Sequence, residues 1–181
     1  SFLKADVEIG NIRFVKWLKH PDDIENLSRN VVNSWKNSFN FKEEDIETNT
    51  IGLRKPQIGA IHSILGHLTN ATEIATVVLP TGTGKTETML SVLVANRCKK
   101  LLVVVPSDAL RGQLAGKFYD LGWLKKIDNE GNSIVLEKAK YPKVGILNTG
   151  FSDEEELNFF IEKCNVIVAT MDLLTSMSIQ Q

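Results

Sequence analysis

Lys85 and Thr86 close the stretch Leu79-Pro80-Thr81-Gly82-Thr83-Gly84-Lys85-Thr86. It follows an apolar run, Ile74 to Leu79, and opens a helical pattern, Glu87 to Arg97. A strand, a glycine-bearing turn ending in Gly-Lys-Thr, and a helix together make a phosphate-binding loop. Gly82 and Gly84 lack a Cβ, so the backbone can curl around an anion and take positive φ. Successive N–H groups then point inward, and the helix N-terminus adds unpaired N–H groups and partial positive charge. The Lys85 ammonium suits the β- and γ-phosphates of a nucleoside triphosphate, and the Thr86 hydroxyl suits Mg²⁺. The alternative is a strand-to-helix turn with no ligand. Strand, glycines, Lys-Thr and helix in one register speak against it.

The general pattern places a glycine at position 79, where this chain has Leu79. The remaining Thr-Gly-x-Gly-Lys-Thr core resembles motif I of the superfamily 2 helicases and translocases. Its spelling is closer to restriction-enzyme motor subunits and DNA-repair helicases than to DEAD-box RNA helicases. Leu53-Arg54-Lys55-Pro56-Gln57 resembles the Arg-x-x-Gln element that precedes motif I. The resemblance implies that Gln57, with Arg54 beside it, reads adenine; a Gln can both donate and accept, though a solvated helix Gln is the plainer alternative. Val103 to Leu114 resembles motif Ia, which implies that Pro106, Ser107, Arg111 and Gln113 touch a sugar–phosphate backbone. A hydroxyl at a helix N-terminus is a physical phosphate receptor. The alternative is an ordinary cap at Ser107, with Arg111 and Gln113 solvated; Leu110 is expected in the core either way. Val166 to Leu174 resembles motif Ib, with Met171 where Pro is usual and Thr170 as the phosphate donor. Gly150, in Asn148-Thr149-Gly150, stands where the family has a backbone contact. A Walker B reading of Val166–Asp172 is disfavoured, because Thr170-Met171 intervene before the acid.

The resemblance thus implies ATP and Mg²⁺ as cofactors. Its nucleotide-binding set is Arg54, Gln57, Pro80, Thr81, Gly82, Thr83, Gly84, Lys85 and Thr86, with Lys85 and Thr86 catalytic and Thr86 on the metal. The implied partner is nucleic acid, DNA rather than RNA, together with further domains of the same chain or subunits of a motor complex. The resemblance stops just short of motif II, so the 181 residues are expected to bind nucleotide weakly and to hydrolyse it poorly. Two other readings stand beside the motor: a non-catalytic helicase-like scaffold that binds nucleic acid or protein, and a P-loop kinase or GTPase. Leu79 and the lack of an Asn-Lys-x-Asp element count against the last.

The positioning elements follow from hydrophobic pattern. Ile24, Leu27, Val31, Trp35 and Phe39 recur at helical spacing after a start at His20-Pro21-Asp22-Asp23, with Asp22 as cap. Phe2 to Val15 reads as a strand or an extended arm, and Lys42 to Thr50 as a polar linker. Ile58, Ile61, Ile64, Leu65 and Leu68 give the helix after Leu53 its apolar face. Lys99 and Lys100 suit the negative end of the helix that follows the loop. Leu101–Val105, Val144–Leu147 and Val166–Ala169 read as buried parallel strands, with helices at 109–121, 153–164 and from Met171. A β-hairpin is expected around Asn129-Glu130-Gly131-Asn132. Strands alternating with helices imply right-handed crossovers and an α/β sheet whose ligands sit at strand carboxyl ends. The expected fold is a three-layer, parallel-sheet P-loop (RecA-like) domain over 51–181, incomplete at the C-terminus, with an N-terminal helical extension over 1–50. Losing later strands would leave an open sheet edge and a route to self-association.

Bulk composition sets limits. Hydrophobic residues make up 43% and charged residues 24%, as in ordinary globular chains, and the formal net charge of −1 gives no global basic field. No apolar run nears the ~18 residues of a membrane span, and Lys4, Asp6 and Glu8 break any signal-peptide core. A cytoplasmic location is expected. Cys98 and Cys164 lie far apart and read as reduced, buried thiols, and His62 as a packing residue. Neither cysteine stands at metal-ligand spacing from His20, His62 or His67.

Overall fold

The computed structural model describes residues 2–9, 12–17, 28–70, 72–151 and 153–178. The expected helix start at His20–Asp23, its Asp22 cap, Ile24 and Leu27 lie outside them. In chain order the elements are β1 (Phe2–Ile9), β2 (Ile12–Trp17), α1 (Ser28–Ser34), α2 (Lys55–Asn70), α3 (Lys85–Ala95) and β3 (Leu101–Val105). Then follow α4 (Asp108–Asp120), β4 (Val144–Leu147), α5 (Glu154–Lys163), β5 (Val166–Thr170) and α6 (Met171–Ser178). The chain forms two compact units. One comprises Ser1–Val32, Lys99–Asp120 and Tyr141–Gln181; the other comprises Asn33–Cys98 and Leu121–Lys140.

The first unit carries the sheet, in the order β2-β1-β4-β5-β3. Neighbours are parallel from β1 through β4 and β5 to β3, and β2 closes the far edge antiparallel to β1. The parallel pairing answers the sequence pattern, since helical crossovers separate β3, β4 and β5. Val144, Leu147, Val166, Val168 and Ala169 are buried, as expected of strands covered on both faces. β3 departs from that expectation. It is an edge strand whose Val103 and Val105 are buried while Leu102 and Val104 are 54% and 38% exposed. Helix α4 turns Ala115 and Phe118 inward, and Leu110, expected in the core, is exposed because it lies off that face. Helix α5 crosses β4 at Gly145, where an added Cβ would lie 2.6 Å from Phe160 Cζ and 2.7 Å from Cys164 Sγ. Phe160 and Cys164 pack with Phe151 and Ile167, and burial pushes the Cys164 thiol up to about 12. The expected acidic cap of α5 is present: the Asp153 carboxylate accepts from Glu156 N–H at 2.8 Å. Its other end is closed by Lys100, whose ammonium donates to the carbonyls of Ile161, Glu162 and Cys164. Lys100 therefore serves α5, not the helix after the phosphate loop, because two α5 carbonyls and that of its cap, Cys164, lie within its reach.

In the second unit α2 packs on α3. Ala60 and Ile61 of α2 and Leu90, Leu93 and Val94 of α3 are buried, while Leu68, near the C-terminal end of α2, is exposed. Helix α3 ends at Ala95 with Asn96 as its cap, and Arg97 beyond it takes φ 49 while Cys98 N–H reaches back to the Leu93 carbonyl. Buried Trp35 donates from Nε1 to the Lys140 carbonyl at 2.9 Å. Phe39, expected on the first helix, lies beyond its end and bridges Val135. The predicted hairpin is absent, although its turn forms. The Asp128 carboxylate accepts from Glu130 and Asn132 N–H groups at 3.0 and 2.8 Å. The flanks then part, because Ile134 to Leu136 bond instead to Ser38, Asn40 and Leu124. The polar stretch from Lys42 to Thr50 is ordered by bridges Glu43↔Leu53 and Asp45↔Thr50. The larger correction concerns Ile74–Leu79. It forms no strand and joins no sheet; Ile74 is 96% and Val78 85% exposed. The parallel edge of β4 away from β5 is taken by β1. His62, expected to be internal, is exposed and stacks on Phe41.

Candidate nucleotide site and nucleic-acid rim

The loop from Pro80 to Thr86 lies wholly in the second unit. Gly82 and Gly84 both take the left-handed conformation, with φ 81 and 82, and Gly84 is the N-cap of α3 without a side-chain cap. The first-turn N–H groups of Lys85, Thr86 and Glu87 have no partner within the helix, by the geometry of any helix start. The loop is braced from its own carbonyls. Thr83 N and Oγ1 donate to the Pro80 carbonyl at 3.3 and 2.6 Å, and the Lys85 ammonium reaches the same oxygen at 3.2 Å. Thr88 Oγ1 donates to the Gly84 carbonyl at 3.1 Å. With the carbonyls engaged, the N–H side of the turn is left to face a ligand.

Helix α2 grips the same loop at two points. Gln57, buried to 1% exposure, accepts from Arg54 N–H at 2.8 Å and donates from Nε2 to the Gly84 carbonyl at 3.1 Å. The Arg54 guanidinium donates to the Gly82 carbonyl at 2.9 Å and ion-pairs with Glu44 at 3.4 Å. Glu44 was not singled out by the sequence; its role shows only once 43–45 folds back onto 50–53. The space over Gly82 is open, since a Cβ there would meet nothing within 4 Å. Exposed Lys85, half-buried Thr86 and a row of first-turn N–H donors beside open space fit a polyphosphate with its cation.

The other expected site residues share one rim of the first unit. Val105 pairs with Thr170 and Ile146 with Val168, so Pro106-Ser107, Asn148-Thr149-Gly150 and Thr170 all stand at strand carboxyl ends. Ser107 Oγ accepts from Leu110 N–H at 3.4 Å, at the start of α4. Pro106, Ser107 and Gln113 are exposed, Gly150 is half-buried and Thr170 is buried. Arg111 is used differently. Its side chain is 12% exposed, its guanidinium donates to the Leu147 carbonyl at 3.1 Å, and it meets Asp108 at 3.2 Å. It shares a face with Ala115 and Phe118 and ties α4 to β4.

The family model for the type III restriction enzyme, res subunit, matches residues 50–181. The chain belongs to that family. Its domain is of the RecA-like P-loop class, that of an ATP-dependent, helicase-like restriction enzyme subunit. Domains of this kind typically use ATP, and the family points to interaction with nucleic acid. No curated protein and no solved structure matches the chain. Among the described residues, no helix is long and apolar enough to cross a membrane.

Proposed function

We propose that the chain is the ATP-binding part of a motor that moves along nucleic acid, DNA rather than RNA. The observation that carries this is the glycine loop at Gly82 and Gly84, both left-handed, opening α3 at Lys85. The N–H groups of Gly84, Lys85 and Thr86 would hold the β-phosphate. The Lys85 ammonium would leave the Pro80 carbonyl for the β- and γ-phosphates, and the Thr86 hydroxyl would take Mg²⁺. Bound ATP would supply a cleavable phosphoanhydride, with Mg²⁺ neutralising its charge. Pro80, Thr81 and Thr83 shape the loop, and Arg54 braces it at Gly82. Gln57, expected to read adenine, is buried with both amide ends engaged and would have to leave those contacts to meet the base. Pro106, Ser107, Gln113, Gly150 and Thr170 would receive the sugar–phosphate backbone, with Arg111 stiffening that rim. Cytoplasmic work in restriction–modification suits this reading.

Titration with a fluorescent ATP analogue tests it. The chain should bind the analogue with Mg²⁺, and Lys85→Ala should abolish binding while leaving the melting temperature unchanged, since Lys85 is exposed. Equal affinity in the Lys85→Ala variant would remove the loop from the mechanism. Failure of both proteins to bind would favour the scaffold.

A further inference from the structure

We propose a second nucleotide-recognition site in the second unit, a groove that takes one nucleotide unit, base and phosphate together. The groove encloses about 420 Å³ and is lined in part by Trp35, Lys36, Phe39, Phe41, Leu65 and Arg97. That volume falls in the roughly 300–1,000 Å³ range of small-molecule sites. It is not the phosphate loop. Leu65 lies eight residues along α2 from Gln57, and Arg97 lies beyond the far end of the 11-residue α3, so about 12–16 Å of helix separates the two.

The chemistry of the walls selects the ligand. Phe39 meets Phe41 edge-on at 4.9 Å, and Phe41 stacks on His62 at 4.6 Å with the rings 16° apart. Phe41 nonetheless stays 45% exposed, in a row of rings anchored beside buried Trp35. Exposed aromatic rings offer flat faces that any base can use. Lys36 and Arg97 supply two cations, and no carboxylate lines the groove. Among the described residues neither cation has a hydrogen-bond or ion-pair partner for its side chain. Rings with unpaired cations and no acid suit a base joined to a phosphate. The backbone adds an independent sign. Arg97 takes φ 49 just past the end of α3, where glycine fits with least strain. The arginine at that position places a guanidinium on the groove.

Fluorescence anisotropy with labelled oligothymidylate, alongside competition by free thymidine monophosphate, tests the site. Phe41→Ala should weaken oligonucleotide binding about tenfold. Arg97→Gly should weaken it and lower the salt slope by about one. Because glycine relieves φ 49, the Arg97→Gly variant should melt no lower than the parent, so lost binding cannot be ascribed to unfolding. Lys85→Ala should leave oligonucleotide binding intact, which separates this site from the triphosphate loop. Competition by the monophosphate would identify a free nucleotide as sufficient; binding of the oligonucleotide alone would identify a strand. Unchanged affinity and salt slope in folded Arg97→Gly and Phe41→Ala proteins, or no binding of either probe, would overturn the proposal.

Discussion

Gln57 Nε2 donates to the carbonyl of Gly84, 27 residues away in sequence, at 3.1 Å. The first turn of α2 and the last glycine of the phosphate loop are therefore one mechanical piece. The contact is so close that a Cβ on Gly84 would collide with that nitrogen.

Gly84→Ala is expected to suffer twice, from φ 82 and from the collision with Gln57. The backbone alone should cost about 1–2 kcal/mol. Gly82→Ala, at φ 81 but facing open space, should show only that backbone cost. Urea denaturation should rank Gly84→Ala below Gly82→Ala, and equal stabilities would show that the Gln57 contact does not constrain the loop.

Much of this was legible in the sequence, and the pattern of failure is physical. Gly82, Gly84 and Lys85 announce a loop because their chemistry is local: φ, a missing Cβ and one ammonium. Asp153 announced its helix for the same reason. What failed was non-local. Ile74–Leu79 has strand composition, but a strand is made by pairing, and among the described residues no strand of the sheet pairs with it. Ile134–Leu136 has it too, and bonds to Ser38, Asn40 and Leu124 rather than to the expected flank Lys126-Ile127. Lys100 looked like a cap for the helix it follows and caps α5, more than sixty residues on. The Phe41 groove left no mark, because the rings and Lys36 of residues 35–41 meet Leu65 and Arg97 only in the fold.

Arg111 and Gln113 should separate cleanly, although both fall in the same sequence motif. Arg111→Ala removes a donor from the Leu147 carbonyl and should cost about 1–3 kcal/mol. Exposed Gln113→Ala should stay within about 0.5 kcal/mol of the parent. Thermal melts supply the comparison, and an Arg111→Ala variant of parental stability would return that residue to a purely surface role.

Gly145 is where α5 comes down on the sheet. Gly145→Ala forces a methyl group against the Phe160 ring and the Cys164 sulfur, in a core with no room to give. Overpacking of this sort should cost about 1–3 kcal/mol. Cys164 thiol accessibility gives a second reading. The parent thiol, buried and with its ionisation pushed up to about 12, should resist alkylation. The variant should react faster if the helix is levered away, and parental rates would mean the contact relaxes without moving α5.

Acid should act on the second unit through Asp128 and Asp45. Backbone N–H donation from Asn132, aided by Lys42 at 3.0 Å, holds the Asp128 carboxyl below its ordinary value. The Thr48 side chain, then the N–H groups of Glu47 and Thr48, do the same for Asp45. For a depressed carboxyl the unfolded chain binds the proton first, so folding stability falls as pH drops. The stabilisation is complete above the unfolded value of about 3.9 and is lost as pH falls below it through the folded values. Stability should therefore be flat toward neutrality on this account and decline below about pH 4. Asp128→Asn keeps a carbonyl acceptor for the turn but cannot titrate, so its decline should be shallower. Urea midpoints across that range decide the matter, and identical slopes for the variant and the parent would show that Asp128 does not set the acid limit.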